Sequence, residues 1–267
     1  MATQDTDNEY SLTDQQVRRF HNQGFLGPLK LCTESEMDDF RQHVEDELQI
    51  GVNEDTIISD SNNFSMNKLM NRHWDCAEVC DVAMSSQISH AMSSIYGPDI
   101  MLASQKFWPK GPEAGEVPWH QDGAYYPIHP TITVSAWIAI DEVTEENGCI
   151  ELIPGSHRQN FLQHVETDSE NKVFDTEADP EKVDDDKAVS MELEPGEFFL
   201  FTEKTLHRSS ANQSQYRRMG MVVRGSVPFV YLYPDSDMSS RIKLMEMHGS
   251  DYSGLNETIS PPSSCDH

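Results

Sequence analysis

Trp119-His120-Gln121-Asp122-Gly123 follows a run that reads as a β-strand, and a second histidine stands far downstream in Leu206-His207-Arg208-Ser209. On an extended backbone, residues i and i+2 point the same way, so His120 and Asp122 can meet one metal ion. A third ligand has to come from a different strand, and His207 suits that place. Two histidines and one carboxylate on one face of an ion form the triad associated with non-haem Fe(II). His120, Asp122 and His207 are therefore the candidate metal ligands and catalytic centre.

Arg218 stands eleven residues after His207, and Ser209 two residues after it. Between the two halves of the triad lie Glu146-Asn147-Gly148-Cys149 and Ile153-Pro154-Gly155-Ser156-His157. In the order and spacing of these motifs the chain resembles the phytanoyl-CoA dioxygenase family, over roughly residues 12 to 228. That family's proximal motif is Trp/Leu-His-Gln-Asp, and an arginine eleven residues after its distal histidine grips 2-oxoglutarate. The resemblance implies a double-stranded β-helix (a cupin-like jelly roll), with Fe(II) as cofactor, 2-oxoglutarate as cosubstrate and O2 as oxidant. It implies oxidation, most simply hydroxylation, of an unactivated C–H bond in a small molecule, with release of succinate and CO2. It also implies Trp137 beside 2-oxoglutarate, where core packing is the alternative. Related iron halogenases carry Ala or Gly in place of the acid, so Asp122 favours oxygenation.

The chemistry of the residues agrees. A dicarboxylate needs a fixed cation at its far end, and the planar arginine fork pairs with carboxylate through two bonds and stays charged. Arg218 fills that role, and the Ser209 hydroxyl adds a hydrogen bond. Arg217 would point to the opposite face of the same strand. Gln105 and Lys106, on a strand before the motif, are expected in the cosubstrate pocket. Trp119, Tyr125 and Tyr126 are expected to shape the substrate side. Arg72, Lys110 and Arg224 are candidates for holding an anionic substrate. Most of the eleven histidines have plainer roles: His21, His43, His73 and His90 as surface or capping groups on helices, His157 in a turn, and His129 in a loop near the site.

The chain reads as a mainly β fold with a helical buttress. Residues 1–248 form one oxygenase domain, with a helical part over about 12–97, a jelly-roll core over about 99–228 and a loose tail at 249–267. Thr13-x-x-Gln16 and Thr33-x-x-Glu36 are capping boxes, and Met37, Phe40, Val44 and Leu48 have helical spacing. A third helix is expected from about Asp75 to Tyr96. Strands are expected over Met101–Trp108, Thr131–Ile140, Cys149–Leu152 and Met219–Gly225. Val189–Leu193 and Glu197–Phe201 flank Glu194-Pro195-Gly196 as a tight hairpin. The acidic run Glu166–Lys187 reads as a solvated loop, or as a lid over the pocket mouth.

Composition narrows the partners. With 46 acidic against 19 basic residues the net charge is −27, which argues against nucleic acid and anionic membranes. Hydrophobic residues make up 37% and mean hydropathy is −0.60, and no apolar run reaches membrane-spanning length. No secretory pattern opens the chain, so a cytoplasmic location is expected, with the five cysteines as free thiols. Three Asn-x-Ser/Thr matches, Asn63-Phe64-Ser65, Asn212-Gln213-Ser214 and Asn256-Glu257-Thr258, read as chance. The expected substrate is a small polar or amphipathic metabolite. Two other readings stand beside this one: a catalytically silent metal-binding jelly roll acting as sensor or scaffold, and a zinc-dependent hydrolase. The oligomeric state is not legible.

Overall fold

The computed structural model describes residues 9–59, 65–167, 173–233 and 242–264. The α-helices lie in about the first third of the chain. Helix α1 (Asp14–Gln23) starts at a capping box, in which Thr13 Oγ1 accepts from the Gln16 amide and the Gln16 side chain accepts from the Thr13 amide. It stops at Gly24, whose φ of 88° suits glycine. Strand β1 (Phe25–Lys30) follows, then α2 (Glu34–Asp46), which opens on the matching Thr33/Glu36 box. Beyond the short α3 (Met66–Leu69), the expected third helix is two: α4 (Ala77–Ala83) and α5 (Ser86–Tyr96). Ser85 is extended, with ψ of 148°, and breaks the run.

The β half begins with β2 (Ile100–Lys110), β3 (Val117–His120), β4 (Ile128–His129), β5 (Thr133–Ala139) and β6 (Ile150–Leu152). It continues through β7 (His164–Glu166), β8 (Thr176–Ala178), β9 (Val189–Met191) and β10 (Glu197–Thr202). Strands β11 (His207–Ser209), β12 (Arg218–Ser226), β13 (Tyr231–Leu232) and β14 (Met245–His248) complete it. The major sheet runs β1-β10-β5-β12-β2-β14 and the minor sheet β3-β11-β6-β9, with antiparallel pairing throughout both. This is the jelly roll.

Alternation along the major strands builds two cores. Val134, Ala136, Ile138, Phe198, Leu200, Met219, Met221 and Val223 face the helices. Trp137, Ala139, Phe199, Phe201 and Val222 face the minor sheet. A strand buried on both faces needs apolar residues at every position, which is why β5 and β10 read as continuous runs.

Several expectations change. Glu194-Pro195-Gly196 does not close a hairpin: β9 pairs with β6, while β10 pairs with β5 and β1. The turn carries the chain from one sheet to the other, and local spacing cannot distinguish that from a hairpin. Gly196, at φ of 80°, packs against the Cys32 backbone there. His73 is fully buried and neither ring nitrogen has a partner among the described residues, unlike the surface group expected; burial pulls its pKa down to about 3. Cys32, Cys80 and Cys149 are free thiols, but Cys76 is disulfide-bonded, a pairing that the spacing of the cysteines does not reveal. The stretch after 249 is anchored: Asn256 bonds Leu232 and Val230, and the Ile259 amide donates to Leu244. Asn63 and Phe64 of one Asn-x-Ser match, Cys265 and part of the acidic run lie outside the described residues. Among the described residues no helix is long and apolar enough to cross a membrane.

Candidate active site

His120 ends β3 and His207 begins β11, and the two are direct register partners in the minor sheet. Their ring centroids are 4.1 Å apart. The backbone stays extended through Gln121, then turns at Asp122 into a short 3-10 segment. Gln121 locks this corner: its amide nitrogen donates to Lys204 O at 2.7 Å and its amide oxygen accepts from the Leu162 backbone at 2.8 Å. Asp122 Oδ1 lies 3.8 Å from His120 Nε2 and 4.0 Å from His207 Nε2.

Each imidazole is oriented by the carbonyl two residues before it. His120 Nδ1 bonds Pro118 O at 2.8 Å and His207 Nδ1 bonds Thr205 O at 2.9 Å. A carbonyl only accepts, so each Nδ1 carries the proton and each Nε2 lone pair is left for a metal. Burial pulls His120 down to about 3, aided by His207, so its ring is neutral near pH 7. Burial alone would raise Asp122, but Arg224 and the two imidazoles hold it at about 2. Two imidazoles and one carboxylate, with ligand atoms within 4.8 Å of one another, are a donor set that fits Fe(II) or zinc.

The triad opens on a cavity of about 460 Å³ between the two sheets. Even-numbered residues of β2 and β12 line its major-sheet wall: Ser104, Lys106, Trp108 and Lys110 from one, Arg218, Val222 and Arg224 from the other. At one end, Arg218 is 2% exposed. Its Nη2 donates to Gly148 O at 2.8 Å and to Ser209 Oγ at 3.3 Å, while its buried Nε has no partner among the described residues. Gly148 explains the Glu-Asn-Gly-Cys turn: at φ of 79°, a Cβ there would stand 2.3 Å from Ser210 O. Lys110 Nζ donates to Ser209 Oγ at 2.7 Å and to Ser210 O. Burial pulls Arg218 down to about 10, and burial with the Arg218 charge puts Lys110 well below its ordinary value. Two buried cations at one cavity end, one with an unused donor, call for an anion, and a distal carboxylate fits.

The sequence candidates sort by strand parity. Trp137 lies under Arg218, 5.1 Å from ring centroid to guanidinium, and fills the space left by Gly220. Gln105 points out of the cavity: its Oε1 accepts from the Arg72 amide, a correction to its expected place. Arg72 pairs with Asp75 and Trp119 packs under Arg208; neither lines the cavity. Tyr125 and Tyr126 do. His129 is exposed on β4, and the His157 ring bonds His21 O. Lys110, expected on the substrate side, sits at the Arg218 end. Lys106 stands 3.5 Å over the Trp108 ring, and Arg224 and Asp122 are among the charges acting on it. Burial and Arg224 together pull it down to about 7.

Residues 173–176 of the acidic segment line the cavity. Strands β7 and β8 form a two-stranded pair. Val173 is buried, and Phe174 meets the His120 ring edge-on at 5.2 Å. Tyr125 Oη and Thr176 Oγ1 are 2.9 Å apart.

The family model described as phytanoyl-CoA dioxygenase (PhyH) matches residues 20–220. The chain belongs to the phytanoyl-CoA dioxygenase family. It is 27% identical to human peroxisomal phytanoyl-CoA dioxygenase over 223 residues, 76% of this chain and 65% of that protein. It is 28% identical over 160 residues to a probable alpha-ketoglutarate-dependent hypophosphite dioxygenase of Stutzerimonas stutzeri, 59% of this chain and 56% of that one. The chain thus spans about two thirds or less of these two members. In fold it is similar to the non-heme monooxygenase ThoJ, with a TM-score of 0.77 at 20% identity over 93% of this chain and 89% of that one. It is also similar to CytC3 in a structure with Fe(II) and alpha-ketoglutarate, with a TM-score of 0.68 at 24% identity over 94% and 93% of the two chains.

Proposed function

We propose that this protein is an Fe(II)- and 2-oxoglutarate-dependent oxygenase that hydroxylates an unactivated C–H bond of a small molecule. The observation that carries the reading is the pairing, in one cavity, of the His120, Asp122 and His207 donor set with the buried Arg218, whose Nε has no hydrogen-bond partner among the described residues. A zinc hydrolase could use the same three ligands, but it has no use for a dicarboxylate clamp.

His120, Asp122 and His207 would hold the metal through Nε2, Oδ1 and Nε2. Arg218, Ser209 and Lys110 would take the distal carboxylate of 2-oxoglutarate, with Trp137 as the floor of that pocket. When bound, iron and 2-oxoglutarate together activate O2, and 2-oxoglutarate leaves as succinate and CO2. The protein's contribution is orientation and dryness. Arg224 holds the outer oxygen of Asp122. Phe174 and Tyr125 pack beside the His120 ring and keep water from the side where substrate enters.

The test is succinate formation from 2-oxoglutarate under air with Fe(II), against anaerobic and zinc-loaded controls. Oxygen-dependent succinate supports the oxygenase. Iron binding without succinate supports a silent sensor, and hydrolysis with zinc alone supports the hydrolase.

A further inference from the structure

One wall of the cavity comes from the stretch between α2 and α4 and from the acidic segment. Ile58 and Met70 join it through isolated backbone bridges to Lys110 and Lys106, two residues of β2 that line the cavity. Met66 opens α3 and Met70 caps it, one turn apart, with the Met70 amide donating to Met66 O at 3.0 Å. Trp108 stands between Lys106 and Lys110 on the same face of β2. Phe174 packs on Trp108 at 6.0 Å and on the His120 ring at 5.2 Å, and the adjacent Val173 is buried. Ile58, Met66, Met70, Trp108, Val173 and Phe174 thus make an apolar wall that runs up to a metal ligand.

The basic residues of the lining are engaged by other groups. Arg224 is held by Asp122, Ser135 and the Tyr126 hydroxyl. Arg208 pairs with Glu151 and Asp185. Lys106 lies over Trp108 and has a further interaction within the protein. Lys110 donates to Ser209 Oγ and Ser210 O, and under the proposed function it shares the distal carboxylate with Arg218. Of the two acids in the lining, Asp122 belongs to the metal and Asp175 is exposed. An ionic group laid against thioethers and aromatic rings would lose its water at a high cost. A hydrocarbon group gains from the same burial.

We propose that the substrate is a small neutral molecule with a hydrocarbon body, laid along Met66, Met70, Trp108 and Phe174, and that the carbon oxidised belongs to this body. The inference rests on the proposed function and names its substrate class. The cavity of about 460 Å³ has to take 2-oxoglutarate as well. It stands near the low end of the roughly 300–1,000 Å³ of small-molecule sites, which keeps the body short. The unbranched methionines adapt to the outline of what lies on them, so the length of the body sets affinity more than its exact shape. The Tyr125 and Thr176 hydroxyls, 2.9 Å apart on the exposed side, keep lone pairs for a neutral polar end.

The test uses the full chain loaded with Fe(II) and 2-oxoglutarate without oxygen. Straight-chain primary alcohols from butanol to octanol are titrated in, with hexanoate and hexanediol, hydroxylated at both ends, beside them. Binding is read by calorimetry and by the change in iron-to-cosubstrate charge-transfer absorption. Affinity should rise about fourfold per methylene until the cavity is full. Hexanol should bind about fivefold or more tightly than hexanediol, and hexanoate no more tightly than hexanol. Met70→Ala should weaken hexanol binding and carry the rise on to longer alcohols, and Met66→Ala, on the same wall, should do likewise. Met70→Leu, which conserves the volume, should follow the wild type, and all three should bind 2-oxoglutarate within about twofold of it. An affinity that does not rise with chain length overturns the inference, as does hexanoate bound more tightly than hexanol. So does an unchanged alcohol series in both alanine variants, or a loss of 2-oxoglutarate binding in both. A wild type that binds no 2-oxoglutarate with Fe(II) sinks the proposed function and the inference together. Intact 2-oxoglutarate binding without dependence on chain length sinks the inference alone.

Discussion

Arg224 grips the outer oxygen of Asp122, and the inner oxygen is thereby left facing both imidazoles. The arginine is itself held by Ser135 Oγ at 3.1 Å and by the Tyr126 hydroxyl. The carboxylate therefore has one orientation before any ion arrives. Removing a partner of this kind commonly costs about 10- to 100-fold in metal affinity. Arg224→Gln should show that loss in an anaerobic Fe(II) titration, while Asp122→Ala, His120→Ala and His207→Ala should each nearly abolish binding. An Arg224→Gln variant with wild-type iron affinity would show that Asp122 needs no such support.

Arg217 and Arg218 are neighbours with opposite duties. Arg217 bonds Asp141, Glu45 and Gly51 O on the helical side, and Arg218 points into the cavity. Arg218→Ala should weaken 2-oxoglutarate binding by roughly 30- to several-thousand-fold, from a lost ion pair of about 2–5 kcal/mol. Arg217→Ala should leave that binding nearly unchanged and lower the thermal midpoint. Calorimetry and melting of the two variants check both halves, and equal 2-oxoglutarate affinities would remove Arg218 from the pocket.

Phe174 covers one face of His120. Phe174→Ala should raise substrate KM and the fraction of 2-oxoglutarate consumed without product, because a wetter site lets the oxidant decay unproductively. Iron and 2-oxoglutarate affinities should barely move. Product-to-succinate ratios measure the effect, and a ratio like the wild type's would return the acidic segment to a plain surface role.

Glu203 gives a pH dependence. It is 6% exposed, and burial pushes its carboxyl up to about 7. A folded-state value above the unfolded one means the stabilisation is full below the unfolded value and lost as pH rises through about 7. Stability should therefore fall between roughly pH 4.5 and 7 by about 3 kcal/mol, and Glu203→Gln should flatten that slope. Urea midpoints across this range test it, and an unchanged slope in the variant would assign the dependence to other groups.

Local spacing carried much of the site. His120 and Asp122 are two residues apart because an extended chain repeats its direction every second residue. Arg218 follows His207 by the length of one connection. The capping boxes at Thr13 and Thr33 and the stripe from Met37 to Val44 act within a turn or two of their own backbone, so they too were readable. The same parity rule, applied to Gln105 and Trp119, would have turned both out of the cavity had the strand register been known.

What the amino-acid order determined by itself is therefore whatever depends on neighbours along the chain: the ligand types, the helix starts, the alternation that gives each strand two faces. Only the tertiary structure decided which strand lies beside which. It sent the chain across from β9 to β10 where a hairpin looked equally good, laid Arg224 against Asp122, and set Lys106 apart from Lys110. Those relations join residues up to about a hundred positions apart. They are chosen by the packing of two sheets around a shared core, in which no single segment contains the information.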